Sequence, residues 1–182
     1  MTRLNLAPEK TGIHILCVTV LGEPKGQPRT KTATHRRSKG GKLARLKFPV
    51  IYTPDTADNW KRSIAYEVLR VWDKKQFTGP LSLTCEFVFG RPKTHYGTGK
   101  NAGVLKASAP SQHTGTPDLD NILKAAKDAI TDVGLWRNDS LVCQYGWMEK
   151  RYVNPGEVPH AVIRIETIER SDAEQTVQRK AG

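Results

Sequence analysis

Apolar residues in this chain follow two different periods, and the alternation between them sets what it can fold into. Trp60, Ile64, Val68 and Trp72 recur every four residues, the stripe of an amphipathic helix over about 55–73. Pro54 suits a first helical position there, with Thr53 or Asp55 as its cap. The tryptophans are expected in the core rather than as a platform for stacked bases. A second stripe, Leu119, Ile122, Leu123, Ala126 and Ile130, predicts a helix over about 119–132. Around them lie runs rich in β-branched residues, Ile13–Leu21, Leu81–Phe89, Leu141–Arg151 and Val158–Glu166. The last two read as a pair of strands joined around Asn154-Pro-Gly156. Strands interleaved with helices predict an α/β (α+β) fold, a mixed sheet with two main helices packed on it. A length of 182 residues suits one such core rather than two. The expected organisation is one domain over 1–167 and a polar tail over 168–182.

Two long stretches interrupt this pattern. Residues 24–47 hold nine basic residues, no acid, and several Gly and Pro breakers, and read as a basic loop over 24–49. Residues 90–117, rich in Gly, Pro, Ser and Lys, form a second loop long enough to suggest function. Over the whole chain 29 Lys and Arg face 18 Asp and Glu, a net charge of +11 that points to a polyanionic partner. The candidate phosphate contacts are Lys25, Arg29, Lys31, Arg36 and Arg37, with Arg91 and Lys93 from the second loop. His95, Tyr96 and His113 either touch nucleic acid or brace their loop.

Other classes are set aside. No run of about 18 apolar residues exists, so no membrane span is expected. The first twelve residues carry no apolar stretch of signal-peptide type, and secretion is not expected. Cys17, Cys85 and Cys143 lie far apart without zinc or disulfide spacing. We expect them as small buried side chains in a cytoplasmic protein.

The acids carry the chemistry. Asp118 and Asp120 flank Leu119 at the start of the second helix, and Asp139 lies in the turn before the next strand. Residues two apart on a helix point about 200° away from each other. The two carboxylates therefore converge only if Asp118 keeps extended, N-cap geometry, a boundary that Pro117 supports by extending Thr116. Lys124, four residues after Asp120, shares its face. Three hard oxygen ligands beside a lysine suit Mg²⁺, which activates water and stabilises a leaving oxygen in phosphodiester hydrolysis. Lys124 would stabilise transition-state charge or orient the water. The same residues also read as helix caps, an i,i+4 pair and an ordinary turn. An EF-hand and a P-loop are missing. A PD…(D/E)xK core is incomplete, because Glu149-Lys150 lacks the spacer between acid and lysine.

Pro117-Asp-Leu-Asp-Asn-Ile-Leu-Lys-Ala-Ala-Lys-Asp128, continuing to Trp136-Arg-Asn-Asp-Ser140, resembles the RusA family of crossover junction endodeoxyribonucleases. So do Gly22-Glu-Pro-Lys-Gly-Gln-Pro-Arg29 and the Tyr52-Thr-Pro54 entry, in the family's order. Arg91-Pro-Lys-Thr-His-Tyr96 and the approach through His113 resemble the longer loop of phage-borne members. The resemblance implies a small α/β subunit and a Mg²⁺-dependent homodimer, with Mn²⁺ as a substitute ion and no small-molecule cofactor. It implies that branched DNA, the four-way Holliday junction, is cut by paired symmetric nicks. By position, Asp118, Asp120 and Asp139 match the family's metal-binding catalytic acids, and Lys124 its catalytic lysine. The chain departs from many relatives at Asn138, where a further acid is common, at Leu141, where glutamine is, and at Thr116-Pro117. The alternatives are a basic nucleic-acid-binding module without hydrolysis, or a metal-dependent nuclease for other branched DNA.

Overall fold

The computed structural model describes residues 14–37, 43–52 and 56–168. In chain order they form β1 (His14–Leu21), β2 (Lys31–Arg37), β3 (Leu43–Tyr52), α1 (Asp58–Val71), β4 (Leu81–Phe89), α2 (Leu119–Asp132), β5 (Val142–Tyr152) and β6 (His160–Thr167). Four strands make a mixed sheet in the order β1-β6-β4-β5, and β2 and β3 pair antiparallel in a separate two-stranded sheet. This is the mixed α+β architecture expected from the alternating periods.

Strand β4 lies between β6 and β5, so its alternate residues Leu81, Leu83, Cys85 and Phe87 are all fully buried. They meet Ala161, Ile163 and Ile165 of β6 and Leu16, Val18 and Val20 of β1 in one core. Helix α1 contributes Trp60, Ile64 and Val68, and the Trp60 ring sits edge-on to Phe87 with centroids 6.2 Å apart. Helix α2 contributes Ile122, Ala125, Ala126, Ala129 and Ile130. The alanines bring its backbone close to its neighbours, while each buried branched side chain contributes about 1.5–3 kcal/mol.

Several expectations change. The segment 24–49 is not wholly a loop: β2 and β3 form a ribbon, for which Thr32, Thr34, Val50, Ile51 and Tyr52 supply β-favouring residues. Helix α1 begins at Asp58, after Ala57 without a side-chain cap, and ends at Val71 rather than 73. Tyr52 closes β3 instead of leading the helix. The caps proposed at residues 53–55 lie outside the described residues. So do Ile13 and residues 169–182 of the expected tail.

Strands β5 and β6 are not a pair. Both flank β4, with β5 parallel to it and β6 antiparallel, so β4, α2 and β5 form a βαβ unit. Among the thiols only Cys85 is buried; Cys17 and Cys143 are exposed, because they fall on the outer positions of edge strands. No helix among the described residues is long and apolar enough to cross a membrane.

Candidate functional site

Asp118 is the N-cap of α2, in extended conformation (φ −69°, ψ 151°), as convergence with Asp120 requires. Its main-chain oxygen accepts from the Ile122 amide at 3.1 Å, but its side chain makes no capping bond. The carboxylate is thus not spent on ending the helix. Its ion-pair contact among the described residues is loose, 3.9 Å from Arg29 Nη2 with both side chains mostly exposed. Such a pair contributes about 0–1 kcal/mol. Asp120 lies exposed in the first turn, where the helix dipole favours an acid, and Lys124 is exposed one turn on.

The basic segment before β2 crosses this helix start. The Gln27 amide donates to Asn121 O at 2.9 Å. A Cβ on Gly26 would stand 2.7 Å from Pro117 Cβ, so the backbones approach this closely only because residue 26 is glycine. Arg29 therefore stands beside Asp118, and Lys25 and Lys31 are exposed on the same segment and at the start of the ribbon. The side chains of Arg36 and Arg37 lie outside the described residues, although their backbones belong to β2.

Asp139 is delivered by a different route. Helix α2 ends in Gly134, at φ +81°, whose amide bonds to Thr131 O at 2.9 Å. Buried Trp136 then donates from Nε1 to Thr131 Oγ1 at 2.6 Å, fixing the exit. Asn138 accepts from the Ser140 amide at 2.8 Å and opens a short 3₁₀ turn, Asp139–Leu141. Asp139 Oδ2 meets Lys127 Nζ at 2.9 Å. Burial disfavours the Lys127 charge, yet bonding to Asp139 and to Tyr145 outweighs it, and its pKa lies above the usual lysine value. Behind this pair a cleft of about 270 Å³ is lined by Lys61, Asp128, Thr131, Asp132, Arg137, Asn138 and Asp139. Lys61 and Asp128 bridge it at 3.6 Å.

The three aspartates are thus not gathered. Lys127 lies seven residues after Asp120, about 10 Å along the helix axis, and Asp139 meets Lys127. Among the described residues no three His, Cys, Asp or Glu side chains are placed to hold a metal ion together. The donor chemistry does fit a hard divalent cation, since every candidate ligand is a carboxylate and that of Asp118 is free of capping.

The second loop is built differently. Arg91 donates from Nε to Val153 O at 2.7 Å and from Nη1 to Pro110 O at 2.7 Å, and lies over the Tyr152 ring. Two guanidinium nitrogens expected to serve phosphate are committed to carbonyls, which leaves Nη2. Lys93 is exposed. His113 stacks on Phe89 at 4.1 Å and leans on Tyr152, which His95 meets edge-on at 4.7 Å. His95 and His113 therefore brace the loop. Burial, then the nearby Lys150 charge, holds the His113 pKa below the ordinary histidine value.

Residues 22–166 match the family described as endodeoxyribonuclease RusA. The chain belongs to the RusA family. Members are endonucleases that resolve Holliday junctions, act on branched DNA and depend in general on a divalent metal. No match is found among curated proteins.

Lys127 and Lys150 were missed as site residues by sequence reasoning. The spacing that singles out Lys124 also selects Lys127, which follows Asp120 by seven residues on the same face. Lys150 carries no comparable local signal, because its partners are main-chain atoms far away in sequence.

Proposed function

We propose that this RusA-family chain is a Mg²⁺-dependent resolvase that cuts four-way DNA junctions by paired symmetric nicks as a homodimer. The observation that carries the reading is the start of α2. There Asp118, uncommitted to capping, stands with Asp120 under a basic segment that bears Lys25 and Arg29. A basic protein that placed two exposed acids beside its phosphate-binding arm without a cation would repel its own substrate.

Asp118 and Asp120 would hold the ion, and Asp139, which the structure pairs with Lys127, would have to leave that lysine to join them. When bound, the ion supplies Lewis-acid stabilisation of the phosphate and a lowered pKa for attacking water. Lys124, on the Asp120 face, stabilises charge that develops on the phosphate oxygens. Lys127, 2.9 Å from Asp139 Oδ2, orients that carboxylate beside α2. Lys25, Arg29, Lys31, Arg36 and Arg37 hold the DNA backbone, with Lys93 and the remaining Arg91 nitrogen at the second loop. A junction has approximate two-fold symmetry, so paired nicks call for two equivalent sites about one axis. Processing of branched DNA in phage recombination or repair, in a bacterial cytoplasm, fits such an activity.

Asp120→Asn tests the assignment. Nicking should fall by at least about 100-fold, while junction binding holds or tightens as a repelling charge is lost. Nicking at the parental rate would remove Asp120 from the site.

A further inference from the structure

Lys150 is one of the last residues of β5, in register with buried Phe87 of β4. In the sequence it follows Glu149 without the spacer of an acid-x-lysine pair. Its ammonium donates to Gly115 O at 2.7 Å and to Pro117 O at 2.8 Å, and its own carbonyl accepts from the His113 amide at 3.2 Å. The three bonds clasp residues 113–117 to the sheet, and the one to Pro117 O falls on the peptide group that joins Pro117 to Asp118. The orientation of that group sets where the Asp118 main chain departs and where α2 begins.

The clasp matters because Asp118 does not position itself, its side chain having no capping bond. On the opposite side Pro117 packs against Gly26, and Asn121 O accepts from Gln27. The helix start is thus pinned between the basic segment and a lysine that the βαβ crossover brings to the same end of the sheet. Lys150, which follows Glu149 without a spacer, reaches the Pro117-Asp118 step from this parallel strand.

We propose that Lys150 is the positioning residue of the acid-bearing helix start: bound to Gly115 O and Pro117 O, it holds Asp118 and Asp120 in the geometry that cleavage requires. This rests on the reading of Asp118 and Asp120 as the reactive acids. A misplacement of about 1 Å in such a site costs about 100-fold in rate.

The test compares full-length parent, Lys150→Met and Lys150→Arg in single-turnover nicking of a synthetic four-way junction with Mg²⁺, alongside junction affinity and amide hydrogen exchange. Lys150→Met should nick about 100-fold more slowly with affinity within about threefold of the parent, and Lys150→Arg should recover most of the rate. The Ile122 and Gln27 amides, bonded across the helix start, should exchange faster in Lys150→Met while β4 amides do not. Nicking by Lys150→Met within about threefold of the parent overturns the proposal. So does a parallel loss of nicking, affinity and β4 protection in both variants, which marks a merely structural residue. If the parent itself fails to nick, the functional reading fails, and hydrogen exchange decides the clasp alone: faster exchange confined to Ile122 and Gln27 upholds it, and unchanged exchange refutes it.

Discussion

The two long Gly- and Pro-rich stretches are alike in sequence and opposite in construction. In the first, Lys25, Arg29 and Lys31 stand in solvent, while Gly26 and Gln27 bring the backbone against the start of α2. In the second, Arg91 holds Val153 O and Pro110 O, Lys106 holds Thr94 O at 2.9 Å, and Lys150 of β5 holds its end through Gly115 O and Pro117 O, while Lys93 stays exposed. A charge used to satisfy carbonyls organises chain; a charge left in water is available to a polyanion. The two stretches meet at Pro117, where the outward one supplies cations and the inward one presents the acids.

This contrast can be broken most forcefully at Arg91. Arg91→Met should cost about 3 kcal/mol of stability, since it strips charge-assisted bonds from two carbonyls, as read by denaturant unfolding. A loss near zero would return Arg91 to the solvent-facing class. Gly26→Ala comes next. Its methyl group would press on Pro117, and overpacking of this kind costs about 1–3 kcal/mol. Junction affinity should weaken with it as the arm lifts from α2, and unaltered affinity would detach the arm from the site.

A smaller effect separates the loops by pH. Because His113 has a lowered pKa when folded, the unfolded chain binds its proton more readily. Its stabilising contribution is present above the unfolded value of 6.5 and is lost as pH falls from there through the folded value. His113→Phe should flatten thermal stability across that window, and an unchanged slope would assign it elsewhere. The smallest change in stability is expected for Lys25→Met with Arg29→Met, whose melting temperature should match the parent. Their junction binding should weaken and lose about one unit of salt slope per phosphate contact removed. A salt slope equal to the parent's would deny that these cations touch the backbone.

Much of this was legible beforehand where the signal is local. Helix α2 and β4 fall where periodicity set them, because both bury a continuous apolar face. The N-cap place of Asp118 follows from Pro117, which extends Thr116 just ahead of a helical stripe. The ribbon was hidden because its strands are basic and carry exposed Val50 and Ile51, so no alternation of buried and polar residues marks them. The partnership of β5 with β4 was hidden by the turn at Asn154–Gly156, which imitates a hairpin while β4 takes the place between the strands. The roles of Arg91 and Lys150 were illegible because a carbonyl partner leaves no trace in residue type. The meeting of Asp139 with Lys127 depends on how the exit from α2 folds, through Gly134, Trp136 and Asn138.

The central claim is that the start of α2 makes this chain a metal-dependent junction nuclease. Its most direct test is incubation of the full-length protein with a synthetic four-way junction and a matched linear duplex, in Mg²⁺ and separately in EDTA. Paired symmetric nicks in the junction alone, and only with Mg²⁺, are the predicted result. Tight junction binding without nicks in either condition would contradict it, and would leave Asp118, Asp120 and Asp139 as surface acids of a DNA-binding protein.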